Sequence, residues 1–553
     1  MTGRTVRIAL SVTSGASLGA YEAGAVAGLV VALQRLNERS HRRGEPPPVV
    51  LDAVGATSAG AMVGLLASRC LLGGLDPLPV LHEAWVRQAS LRRLAHGRRD
   101  APLSMVAVQR DTVGLLEPRD RRGRPVHRTP AAARQARPIE YSVALGSLQG
   151  LTYRIDGTGA DPALAGLTHV DRATFTLRRD DGRDRYVRPR NSSPLDAAIA
   201  SMSHPAAFGP RVLDRRADEE AYLRAGVSDF PASGHFWCTD GSALLTRPLG
   251  GTLDAARRAD RAATDAGDGA GDRPGHGSDE SAGRMHLLVH PHTAGPGASR
   301  RWTDPDGAPP WTSTLARLLT TLTTEPLYAD LRAIEDVNAR LRWSRELAEV
   351  LAPHLSAASS DALREVLGRM TAEQAGPGAS GDGLPTDSGG GPGTEDLGDL
   401  LLRVLRTAGG VAGKFPVGTE VISPLQLVEQ PADAGGSPRG QQQVPSLLAG
   451  EFMGRFGGFT ARALRQSDFA LGWQSLSAWL PDAFARAGVP DEDIAGAVDA
   501  VTERDVRHDG AGRRGGAGLG DAPLAARLRL VGLIGRAARG AASDVLRGRR
   551  HSG

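Results

Sequence analysis

Cysteine occurs only twice in the 553 residues of this chain, as Cys70 and Cys238. Each has apolar neighbours, Leu71-Leu72 after the first and Phe236-Trp237 before the second. That setting reads as buried free thiols and argues against a disulfide framework or a cysteine-based metal site. Lysine is scarcer still: Lys414 is the single example, and the remaining basic residues besides histidine are arginine. With abundant alanine and glycine, this reflects a GC-rich genome more than a function. An excess of one charge sign is also missing. The formal net charge is +4 with acidic and basic residues interspersed, so a duplex-binding stripe, and nucleic acid as a partner, are not expected. The N-terminal stretch lacks a long apolar run. Ile8-Ala9-Leu10 follows Arg4 and Arg7 but is broken by Ser11, Thr13, Ser14 and Gly15, too short for a signal peptide or a membrane span. A cytoplasmic location is the expectation.

The length predicts a catalytic domain plus a second unit or large insertions. Val6 to Val12 reads as a strand, Ser14 to Gly19 as a glycine-containing loop, and Tyr21, Ala25, Leu29, Leu33 and Leu36 recur at helical spacing. Val49 to Val54 has the unbroken apolar character of a strand buried on both faces. Strand, loop, helix, strand opens an α/β fold. Residues 95–137 are rich in arginine and proline, with only Ser104 to Leu116 resembling a packed segment, and read as a surface insertion or lid-like loop. Ile139–Leu145 and Leu151–Ile155 read as strands around a Gln149-Gly150 turn, Ala173 to Arg178 as a further strand, and Met285 to His290 as another. A stretch near 262–283 is too polar to stay ordered. The expected organisation is a catalytic domain over 1–295, a linker over 296–312 and a mostly helical region over 313–553. Within the last, Leu327, Leu331, Ile334, Leu341 and Leu347 mark one long helix, and linkers fall near 374–396, 431–443 and 507–521.

Chemistry concentrates in three places. Val54-Gly55-Ala56-Thr57-Ser58-Ala59-Gly60-Ala61 stands between a buried strand and the apolar start of a helix. Small neighbours two residues away on each side let Ser58 occupy a tight strand-to-helix turn that lifts its hydroxyl clear of the backbone. A plain βα turn is the bland alternative. The loop Ser14 to Gly19 can turn unobstructed N–H groups toward the same reacting oxygen. It matches neither G-x-G-x-x-G nor a Walker motif, so nucleotide is not expected. Phe236-Trp237-Cys238-Thr239-Asp240-Gly241 reads as an apolar strand ending in Asp-Gly, where Asp240 can serve Ser58 as a direct general base or merely form a turn. A fourth segment, Pro194 to Pro210, says only helix and turn.

Taken in order, these segments resemble the patatin-like phospholipase family. Ser14 to Gly24 is similar to its oxyanion loop and following helix, and Thr57-Ser58-Ala59-Gly60 to its nucleophile elbow. Ala200-Ser201 through Pro205 and Phe208 is similar to its helix-and-proline block, and Asp240-Gly241 to its aspartate motif. The likeness covers about residues 6–250. It implies a three-layer α/β/α fold and a Ser58/Asp240 dyad, with backbone N–H groups of Gly15, Ala16 and Ser17 as oxyanion donors. It also implies hydrolysis of acyl esters, commonly phospholipids or lysophospholipids, without calcium or another cofactor. Leu447 to Gly450, Phe456 to Phe459 and Arg465 to Gly472 are similar to a region following the catalytic part in some bacterial members. Three positions depart from the pattern: Ala56 for the first elbow glycine, Ala16 for a loop glycine, and Leu18 for the usual basic residue. Alanine at position 16 is strained if that position needs φ > 0.

Rival readings remain at this point. Ser58, Asp240 and His290 follow the chain order of an α/β-hydrolase triad. The loop substitutions fit a catalytically impaired lipid-binding relative. His286, His290 and His292 fall on one face of a strand, but no cysteine or carboxylate pair accompanies them, so a metal is not expected. For an acyl-lipid substrate, peripheral contact at the inner membrane surface is expected through the 95–137 insertion or a C-terminal helix. That helix carries Leu524, Leu528, Val531 and Val545 among Arg527, Arg529, Arg536, Arg539 and Arg547, and packing on the catalytic domain is its alternative.

Overall fold

The computed structural model describes residues 5–13, 15–95, 101–155, 164–187, 192–205, 207–244, 248–265, 284–291, 325–356, 359–375, 397–412, 414–428, 447–450, 455–504, 506, 523–524 and 526–527. It is a mixed α/β structure with a central, mostly parallel sheet flanked by helices. Strand β1 (Val6–Val12) leads into α1 (Gly19–Arg43), β2 (Val49–Ala56) into α2 (Ala59–Gly73). After α3 (Pro77–His82) and a π-helical turn over Glu83–Gln88 come α4 (Leu91–Leu94) and α5 (Val106–Leu116). Strands β3 (Ile139–Ile155) and β4 (Leu164–Leu177) precede α6 (Arg183–Tyr186), α7 (Pro194–Ser201), β5 (Arg211–Asp214), α8 (Glu219–Arg224) and β6 (His235–Asp240). Helix α9 (Pro248–Asp265) and β7 (Arg284–Val289) follow.

The sheet runs β5-β6-β3-β2-β1-β7-β8, with β4 added on β3 and β8 formed by Thr419–Ile422. Alternation along β1 assigns its two faces. Ile8, Leu10 and Val12 join the large core shared with α1, α2 and α7, whereas Ala9 joins Ala53, Ala255 and Ala256 beneath α9. The second layer lies close to the sheet because a Cβ at Gly55 would meet Thr252 Oγ1 at 2.1 Å. A bulge in β2 inserts Asp52, whose buried carboxylate pairs with Arg7 and with Arg284. The expected turn at Gln149-Gly150 is instead a register shift within one long β3. Gly150 has φ +78°, so the turn signal is used as a bulge while β4 stays paired on both sides of it.

Helix α1 is long and apolar enough to cross a membrane, but it is almost wholly buried inside this fold as its central helix. Its other flank is covered by α13 (Arg462–Arg486), followed by α14 (Asp491–Thr502). Contact is close at two glycines: a Cβ on Gly24 would lie 1.9 Å from the Phe469 carbonyl, and one on Gly472 would lie 1.9 Å from that of Tyr21.

The expected linker over 296–312 lies outside the described residues. One unit comprises Met1–Ala262, Arg284–Leu327 and Thr419–Gly553, so the C-terminal segment belongs with the sheet; the other comprises Ala263–Gly283 and Tyr328–Gly418. Within the second unit are most of α10 (Glu325–Leu351), α11 (Ser359–Ala375) and α12 (Leu397–Ala408). Asn338 there exchanges two hydrogen bonds with the backbone of Val417. Helix α9 runs through Asp265 into the stretch expected to be disordered, and the rest of 262–283, residues 376–396 of the first expected linker, those near 431–443 and 507–521 and most of the C-terminal arginine-rich helix lie outside the described residues.

Candidate active site

Strand β4 pairs with β3 along nearly its whole length and so occupies one edge. The other edge of β3 is shared: β2 takes Glu140 to Val143 and β6 takes Leu145 to Ser147. Their directions are opposite, so the C-terminal ends of β2 and β6 meet head-on, Ala56 opposite Val143 and Asp240 opposite Leu145. Ser58 leaves β2 at that junction. Its Oγ donates to Asp240 Oδ2 at 2.6 Å.

Ser58 has φ +54° and ψ −128°, a strained conformation for a side-chain-bearing residue, and it precedes the first turn of α2. Gly60 permits the turn, because a Cβ there would fall 2.2 Å from the Val12 carbonyl. Ala56 fits without strain, since it continues β2 and is not among the positive-φ residues. The segment that read only as helix and turn holds both partners. Ser201 Oγ accepts the N–H of Ser58 at 2.9 Å and donates to the Ala144 carbonyl, while the Ser203 carbonyl accepts from Asp240 N–H at 3.2 Å and Thr239 Oγ1 at 2.7 Å. Helix α7 is fixed at its start by a Ser193/Asp196 capping box with Pro194 in the first turn. The only sequence signal for these roles was a pair of serines closing an apolar helix.

The Asp240 side chain is fully buried, and burial pushes its carboxyl above the ordinary aspartate range. Hydrogen bonds from Ser58 and Ser242, with the charge of nearby His204, act in the opposite sense. Ser242 donates to Asp240 Oδ1 through both its N–H and its Oγ, at 2.9 Å each. An aspartate so held is oriented by two groups while its second oxygen faces the serine.

The loop after β1 passes beside the hydroxyl: a Cβ built on Gly15 would lie 4.0 Å from Ser58 Oγ. Ala16 has φ +55°, so this position does need the left-handed conformation. The N–H groups of Gly15, Ala16 and Ala59 have no acceptor among the described residues. Ser17 differs from the expectation. Its N–H donates to the Arg455 carbonyl at 2.9 Å and is not available to a substrate. Leu18 is buried in the core. Ser14 lies outside the described residues.

Ser58 opens into an apolar cavity of about 50 Å³ whose wall includes Ala16, Met62, Trp85, Met105, Phe208 and Phe456. Phe456 comes from the C-terminal segment, and His204 stacks edge-on against it at 6.1 Å. Residues 104–116 of the arginine-rich insertion supply the roof through α5, as Val108 and Thr112 line the same cavity. The thiols are spectators: both cysteines are free and buried, and burial pushes Cys238 up to about 12 and Cys70 higher.

His290 follows β7, which is separated from β2 by β1, and its N–H donates to the Ile422 carbonyl. Ser58 donates to Asp240 with no histidine between them. Of the other strand histidines, burial draws His286 down to about 4, and His292 lies outside the described residues.

No family model matches the chain. No curated protein matches it. Among solved structures, VipD from Legionella pneumophila is similar over 90% of this chain and 91% of its own, at 12% identity and a TM-score of 0.20, a level that assigns neither fold nor function.

Proposed function

We propose that this protein is a serine acyl hydrolase of the patatin-like kind, acting on acyl-ester lipids of the phospholipid or lysophospholipid class through a Ser58/Asp240 dyad. The single observation that carries the reading is the 2.6 Å bond from a serine in a strained strand-to-helix turn to a buried carboxylate. Ser58 Oγ attacks the ester carbonyl as its proton passes to Asp240. Negative charge on the carbonyl oxygen is met by the N–H groups of Gly15, Ala16 and Ala59 and by the N-terminus of α2. Collapse of the tetrahedral intermediate expels the alcohol, which takes the proton back from Asp240 and leaves Ser58 acylated. Water, deprotonated by Asp240, then releases the acid and restores the hydroxyl.

The apolar wall suits an acyl chain, but about 50 Å³ holds only about one or two waters. A long chain therefore enters only as Trp85, Met105 and their neighbours shift, and short-chain esters in free solution are turned over faster than long-chain ones. A panel of lipid and soluble esters on wild type, Ser58→Ala and Asp240→Asn tests the proposal. Both variants are expected to lose activity roughly a thousand-fold or more. A hydrolytic activity that survives in both would refute it. His290→Ala retains near wild-type rates under this reading and is inactive under a Ser-His-Asp one.

A further inference from the structure

Ser17 is fully buried and fastened three times to one turn far along the chain. Its N–H and its Oγ both donate to the Arg455 carbonyl, at 2.9 and 2.6 Å, and Gly458 N–H donates to that Oγ at 3.0 Å. The turn is itself held. Arg465 donates to the Gly458 carbonyl at 2.8 Å and, through two nitrogens, to the Val86 carbonyl. The Asp468 carboxylate accepts the N–H groups of Ala449 and Gly450. Gly458 has no room for a side chain, since a Cβ would meet Ser17 Oγ at 2.7 Å.

The residue this anchor restrains is Ala16, whose φ of +55° costs an alanine about 1–2 kcal/mol against the right-handed regions. A residue under such strain keeps its conformation only where its surroundings hold it. We propose that Ser17 is a positioning residue: clamped by the Arg455–Gly458 turn, it holds Ala16 in the left-handed conformation that presents its N–H to the reacting oxygen. The inference rests on the Ser58/Asp240 reading above. It gives the C-terminal segment a part in catalysis, acting through the loop and without touching substrate.

The test uses the full chain and three measurements: kcat and KM on a soluble ester, the rate of Ser58 modification by a fluorophosphonate, and Tm. Ser17→Ala and Gly458→Ala are expected to lower kcat and the modification rate roughly ten- to a hundred-fold, with KM little changed. Adding Ala16→Gly to Ser17→Ala is expected to recover most of the loss, because glycine holds a positive φ without an anchor. Wild-type kcat in Ser17→Ala would overturn the proposal, as would a loss that tracks Tm and is not recovered by Ala16→Gly. If Ser17→Ala does not fold, Gly458→Ala with and without Ala16→Gly gives the same decision. An inert, unlabelled wild type would overturn the dyad reading and this proposal together, whereas an active wild type with an indifferent Ser17 overturns the proposal alone.

Discussion

Ala16 and Ser58 both take φ near +55°, and the two strained residues line the same cavity. Backbone strain collected at one place is what a preorganised site requires. Relieving it at Ala16 should be favourable: Ala16→Gly is expected to raise stability by about 1 kcal/mol, read as a higher Tm, without loss of activity. Under the proposed mechanism, Asp240 sets the acid side of the pH profile. Burial raises its pKa, so the ionised base is present above that pKa and is lost as pH falls through it. The acid limb of kcat/KM should therefore have its midpoint above the ordinary aspartate value of 3.8. A midpoint at or below that value would show that the hydrogen bonds from Ser58 and Ser242 outweigh burial. The strand-to-helix turn at Ser58 and the strand end at Asp240 were legible in the sequence because both restrict residue type. The anchoring of Ser17 was not, because its hydrogen-bond partner is 438 residues away and nothing local marks the pairing.

At the scale of elements, Ser58 and Asp240 meet because β2 and β6 share one edge of β3. Alternating and unbroken apolar runs revealed β1, β2, β3, β6, β7, the end of β4 and α1 but not β5 or β8, and periodicity carries no information about which strands abut. The same gap explains the misread Gln149-Gly150 segment, where a glycine at positive φ serves a bulge as well as a turn. Packing of α1 on α13 depends on small residues placed reciprocally. Gly24→Ala and Gly472→Ala each drive a methyl into a carbonyl of the other helix, and each should destabilise the protein by about 1–3 kcal/mol or more in denaturant unfolding. Unchanged unfolding midpoints would show that the helices do not sit this close.

For the whole molecule, the sequence suggested a catalytic domain complete by residue 295, whereas Thr419–Gly553 forms one compact unit with the sheet. Composition could not say that the chain returns to the sheet after the helices of 328–418. A chain cut at 295 lacks β8, α13 and the Phe456 wall of the cavity, and exposes the flank of α1 that α13 covers. Such a fragment is expected to be insoluble or inactive, and soluble, active material would contradict this account of the core.

The most direct test of the central claim is intact-mass and peptide mapping after exposure of the full chain to a fluorophosphonate. One adduct on Ser58 is predicted in wild type, formed much more slowly in Asp240→Asn and absent in Ser58→Ala. A wild type that never acquires the adduct on Ser58, or an Asp240→Asn variant labelled at the wild-type rate, would contradict the dyad.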